Sequence, residues 1–205
     1  MTATETPTAP AQEVLDPRDS LARAQEWIAS LLEGVSPDQL SSPTPCTEFD
    51  VALLIRHLYG VAGRTEVMGH GHPAASAPAV LETLPDDLVG DYRAQSARVQ
   101  AAWADDVSLT RTVVAPFGPM PGAQILGVYL SEHLVHGWDL AVATGQPAEA
   151  DPDLVELARQ AITAILPPEP RGGPIPFGPV VEPAAGAGPT QRLAHYLGRF
   201  WPPVS

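Results

Sequence analysis

The stretch GAQILGVYLSEHLVHGWDLAVAT, residues 122–144, decides the fold. A helix on the outside of a globular protein shows one apolar stripe, whereas one that is apolar nearly all round is wrapped by other elements. The sequence therefore predicts a buried central helix from Gly122 to about Thr144. Glu132 and His136 lie four residues apart on it, so their side chains leave one face one turn apart, among Ile125, Val128, Tyr129 and Leu140. A bare carboxylate on such a face is costly unless positive charge meets it, and a neutral imidazole supplies none.

Other helices must do the wrapping. Asp16-Pro17-Arg18-Asp19 reads as a helix start, with a capping Asp, Pro at the first helical position and an acid three residues after the cap. Leu21, Ala24, Ile28, Leu31, Leu32 and Val35 then recur at helical spacing, so this helix runs to about Gly34. Thr47, with Asp50 as its box partner, is expected to cap a second helix whose stripe is Val51, Leu54, Ile55, Leu58 and Val61 and which ends near Gly69. A third is expected from about Leu84 to Asp105. Leu109 to Ala115 reads as a strand or an extended arm, ended by Pro116-Phe117-Gly118-Pro119. Helices follow at Leu154 to Leu166 and around Gln191 to Phe200. Between these two, Pro167 to Pro189 holds eight prolines and five glycines and reads as an extended wrapping segment. Helices dominate with short links, which points to an all-α antiparallel bundle over residues 16–166, preceded by a disordered tail, 1–15, and followed by a Pro/Gly-rich extension, 167–205.

The chain has 205 residues, enough for one domain with a substantial core. Its 11 Lys and Arg against 24 Asp and Glu give a net charge of −13, which argues against nucleic acid or an acidic membrane surface as partner. One cysteine, Cys46, permits no intrachain disulfide, and neither a targeting peptide nor a spanning segment is legible, so a cytoplasmic protein is expected.

His57 on the second helix interrupts an apolar stripe, in line with Leu53, Leu54 and Val61. A divalent cation held by His57, Glu132 and His136 would neutralise the carboxylate, use both imidazoles and leave a position open for water or substrate. Asp139, near His136, is placed to orient an imidazole from behind. Plainer readings stand beside this one. His57 alone suits a core histidine bonded to a carbonyl, Glu132 and His136 suit a helical ion pair, and His133 competes for a ligand's place. Cys46 reads either as a nucleophile near a helix N-terminus or as a hydrophobic staple against Val51, and the staple is favoured because no base adjoins it in sequence. His70 and His72 read as solvated loop residues and Trp138 as core. Arg56 and Arg64 suit an anionic substrate or an ordinary exposed helix face.

Two segments together resemble a known family. Pro43-Thr44-Pro45-Cys46-Thr47-Glu48-Phe49-Asp50-Val51, followed by Arg56-His57-Leu58, resembles the N-terminal signature of the mycothiol-dependent maleylpyruvate isomerases of the DinB-like superfamily. Pro116 to Gly122 and Glu132 to Leu140 resemble its second signature, and Phe177-Gly178-Pro179 resembles the tail of one uncharacterised actinobacterial branch. The resemblance implies a DinB-like four-helix bundle with a divalent metal, often zinc, on a His of the second helix and an acid-x-x-x-His pair of a later one, here His57, Glu132 and His136. It also implies activation of a low-molecular-weight thiol such as mycothiol, as co-substrate, for addition to a small electrophilic substrate. The Pro/Gly-rich C-terminal third departs from the isomerase proper, so maleylpyruvate itself is not the expected substrate. Two other classes compete: a lyase, cyclase or hydrolase using the cation as Lewis acid on oxygen, and a non-catalytic metal-binding bundle.

Overall fold

A computed structural model describes residues 16–169, 171 and 177–202. The expected N-terminal tail, 1–15, lies outside the described residues, as do 170, 172–176 and 203–205 of the expected extension. The chain is mostly helical with one small two-stranded sheet. Helix α1 spans Pro17–Glu33, and Asp16 caps it by accepting from the Arg18 amide at 2.8 Å. Helix α2 spans Val51–Gly69, α3 Leu88–Trp103 and α4, a single turn, Val107–Thr110. Strands β1, Thr112–Ala115, and β2, Gly118–Pro121, pair antiparallel with Thr112 opposite Pro121. Helices α5, α6 and α7 follow at Gly122–Thr144, Pro152–Ile165 and Pro189–Tyr196.

The expected central helix is therefore present with the bounds read from its sequence, and its composition has a direct cause. One face of α5 joins α1, α2 and α3 in a large core, while Val128, Leu130, Leu134, Val135 and Trp138 join α6 and α7 in a second. Helix α5 packs on α1, α2, α6 and α7, and α3 packs on α1 and α2. Gly137 belongs to this contact: a Cβ there would run into the Trp27 ring and Ile28 of α1. Among the described residues no helix is long and apolar enough to cross a membrane.

Several expected boundaries are corrected. The cap of α2 is Asp50, accepting from Leu53 N at 2.8 Å, and not Thr47. Thr44 Oγ1 donates to the carbonyls of Cys46 and Phe49, at 3.0 and 2.8 Å, and Phe49 N donates to Cys46 O, so residues 44–49 close as a turn and defer the helix. With the cap at Asp50, Cys46 is four residues upstream and not in the staple position against Val51. Helix α3 begins at Leu88, not Leu84, because Asp87 accepts from the amides of Val89 and Gly90. Pro116 to Pro119 does not end the extended arm: Pro116 and Phe117 make the turn, and Gly118, at φ +121°, opens β2. Helix α7 starts at Pro189 and stops at Tyr196, before Gly198 at φ +83°.

A strap over α2 positions the site. Arg56 Nε donates to Leu81 O at 2.6 Å, His57 Nδ1 lies 2.9 Å from Ala79 O, and Arg64 Nε donates to Ala77 O at 3.3 Å. The segment comes this close because Gly60 has no side chain; a Cβ there would collide with the Ala79 carbonyl. Glycine to alanine inside a helix ordinarily stabilises by up to about 1 kcal/mol. Here the collision reverses the sign, and Gly60→Ala is expected to destabilise the protein by about 1–3 kcal/mol in urea unfolding. An unchanged or higher midpoint would show that the strap does not rest on α2 in this way.

Candidate metal centre

Helix α2 supplies His57, and α5 supplies Glu132, His136 and Asp139. One ligand-type atom from each of His57, Glu132 and His136 lies within 4.8 Å of the others. His136 Nε2 is 3.6 Å from Glu132 Oε2, close to the ~3.4 Å edge of a tetrahedron drawn with ~2.1 Å metal–ligand bonds. The two imidazoles meet edge to face, ring centres 4.7 Å apart. Each ring is held from behind. A carbonyl only accepts, so the Ala79 oxygen facing His57 Nδ1 leaves the proton there and the lone pair on Nε2. His136 Nδ1 lies 3.0 Å from Asp139 Oδ2, which turns Nε2 towards Glu132. This geometry suits one cation with an open position, and it fits the donor set of two imidazoles and one carboxylate.

The electrostatics agree with an inward-facing charged cluster. Burial, reinforced by the charge of His136, holds His57 down to about 4, so it is neutral at neutral pH. Burial pushes the Glu132 carboxyl up, but the His136 hydrogen bond and the charges of His136, His57 and Arg199 outweigh it and hold the group below its ordinary range. Burial likewise depresses His136, but Asp139 and Glu132 overcome it, so without a cation His136 titrates above its usual value.

Three residues near the site were not assigned to it by sequence reasoning. Arg199, past the end of α7, donates from Nε to Asp139 Oδ2 at 3.0 Å; Asp139 is fully buried and Arg199 15% exposed. No pattern marks Arg199, which meets its partner across 60 residues of chain. Phe49 packs its ring 5.2 Å from that of His57 and 6.3 Å from that of His136, and its place directly before the true cap of α2 was the available signal. Cys46 has a ligand-type atom within 4.8 Å of those of His136 and Asp139, so the fold brings it the imidazole that its sequence neighbours lack.

The remaining candidates sit elsewhere. His133 is fully buried with Nδ1 2.7 Å from Tyr129 O and Nε2 3.5 Å from Gln25 of α1, in a core network that Gln100 extends. Burial holds it down to about 4, which suits a neutral core histidine. Arg56 and Arg64 each donate Nε to a carbonyl of the strap, and the charge of Arg64 also reaches His57. His70 and His72 are exposed, and Trp138 is core, edge-on to His195.

Burial pushes the Cys46 thiol above its ordinary range; Arg199 draws it down and Asp139 pushes it further up, with a net rise. A raised thiol holds less thiolate at neutral pH, and thiolate is the reactive form. In chelated, metal-free protein at pH 7, iodoacetamide is therefore expected to label Cys46 more slowly in the folded state than in urea. Equal or faster labelling of the folded protein would restore the nucleophile reading.

Comparison with known proteins follows the same residues. Two uncharacterised proteins of Mycobacterium tuberculosis, one from strain H37Rv and one from strain CDC 1551, are each 35% identical to this chain over 185 residues, covering 90% of it and 98% of the relative. No solved structure matches it. The profile of the mycothiol maleylpyruvate isomerase N-terminal domain matches residues 21–141, which take in most of α1, all of α2, α3 and the hairpin and nearly all of α5, and so include His57, Glu132, His136 and Asp139. The chain belongs to the mycothiol maleylpyruvate isomerase N-terminal domain family.

Proposed function

We propose that this protein is a metal-dependent enzyme in which His57, Glu132 and His136 hold a divalent cation, zinc, and that it joins a low-molecular-weight thiol of the mycothiol type to a small electrophile, as a transferase or an isomerase. The carrying observation is the pair of imidazoles, each fixed from behind by an acceptor and turned towards one carboxylate. Membership of an isomerase-like family related to mycothiol supports the thiol. The pairing of α1, α2, α3 and α5 supports a DinB-like four-helix bundle as the frame. A cytoplasmic setting, where thiols stay reduced, suits this chemistry.

When bound, such a cation lowers the pKa of a coordinated thiol, so that the nucleophilic thiolate is present at neutral pH. The chain's own residues do the rest. Glu132 supplies the one anionic ligand and so sets the net charge of the centre. Asp139 and the Ala79 carbonyl hold the tautomers that leave both Nε2 lone pairs facing inward. Phe49 lies against both imidazole rings and limits water there. Cys46, held protonated by its burial, takes no part as nucleophile.

Purified protein offered zinc is expected to hold about one equivalent, and His57→Ala to hold none after dialysis. Glu132→Gln is expected to weaken zinc binding about 10-fold or more. Because His136 keeps a proton to higher pH than usual in the cation-free protein, proton and cation compete, and affinity falls as pH falls through that range. A low-molecular-weight thiol should change the visible absorption of cobalt-loaded protein. Protein that takes up no metal would overturn the whole reading, and cobalt absorption indifferent to any thiol would overturn the thiol chemistry alone.

A further inference from the structure

The C-terminal segment lies beyond the part of the chain that the family profile covers, yet it brings Arg199 to Asp139, directly behind His136. Leu193, Ala194 and Leu197 bury in the core shared by α5 and α6. Val181 N donates to His195 O at 2.9 Å, and Gly198, at φ +83°, runs so close to the Gly178 backbone that a side chain on Gly198 would clash with it. Arg199 N then donates to Ala194 O at 2.9 Å. These contacts aim one side chain: Arg199 reaches the oxygen of Asp139 that also faces His136 Nδ1, both at 3.0 Å.

The other oxygen of Asp139, Oδ1, is buried with no hydrogen-bond partner among the described residues. The carboxylate is therefore held through one oxygen by two donors, Arg199 and His136. Removing the guanidinium leaves a fully buried charge with a single partner, an arrangement proteins do not keep in place. What holds Asp139 also holds the His136 ring, because among the described residues that ring's Nδ1 has no other hydrogen-bond partner.

We propose that the C-terminal segment is a working part of the metal centre: Arg199 is a positioning residue that holds Asp139, and through it the His136 ring, so that cation binding and docking of residues 189–202 stabilise each other. The inference rests on the metal reading above and adds reciprocity to it: whatever the docked segment contributes to cation affinity, the cation returns to the docking of the segment.

Hydrogen exchange on the full-length chain, with zinc and after chelation, reads this coupling. Peptides from residues 189–202 are expected to exchange about 5-fold or more slowly with zinc bound. Arg199→Ala is expected to bind zinc about 10-fold or more weakly, to change the cobalt absorption and to make exchange in those peptides insensitive to zinc. Arg199→Lys restores part of the affinity by restoring the charge. Should the alanine variant not fold, Arg199→Gln, which keeps an N–H donor without the charge, is expected to show the same weakening. Equal exchange with and without zinc in a protein that carries the metal would overturn the proposal, as would an Arg199→Ala variant with wild-type affinity and cobalt spectrum. A wild-type chain that takes up no zinc would overturn the metal reading itself, and this proposal with it.

Discussion

Charge on the inner faces of a packed bundle must be answered there, and α5 carries two carboxylates and two imidazoles within eight residues of a helix enclosed on both sides. Leaving Glu132 or Asp139 unpaired would cost several kcal/mol each. The fold answers Asp139 with Arg199, drawn from the far end of the chain, and ties His136 between the two acids. Glu132 keeps some exposure, its side chain 26% accessible, and a carboxylate oxygen of it lies within 4.8 Å of a His57 ring nitrogen. The charge left facing that opening is one carboxylate with two imidazoles whose protons are already committed elsewhere. A cation is the simplest occupant that uses all three.

The same constraint explains why so much of the fold serves two rings. Gly60 and the strap over α2 fix His57 through a backbone carbonyl, while the crossing of Gly178 and Gly198 delivers the guanidinium that fixes Asp139. Neither device makes a large hydrophobic contribution. Each converts a floppy imidazole into a directed lone pair, and that preorganisation is what a metal site requires of its surroundings.

Legibility in the sequence followed the range of the interaction. Helix α5 was readable to its termini because burial on both sides writes itself into most of its positions, and α1 because Asp16-Pro17 caps locally. The grouping of His57, Glu132 and His136 was readable because each breaks an apolar stripe at helical spacing. The start of α2 was not, since Thr47 and Asp50 are both plausible caps and a hydroxyl at Thr44, bonding two carbonyls, decided between them. The hairpin was half visible: β1 is β-branched, but β2, with two prolines, carries no strand pattern. Arg199 was invisible because a partner 60 residues away in the chain, reached through a glycine crossing, leaves no periodic trace.

X-ray absorption at the zinc edge of the loaded protein tests the central claim most directly. The account predicts two imidazole nitrogens and a carboxylate oxygen at about 2.0–2.2 Å, with no sulfur ligand until a thiol is added. A sulfur shell at about 2.3 Å in the thiol-free protein, or a shell without imidazole, would contradict it.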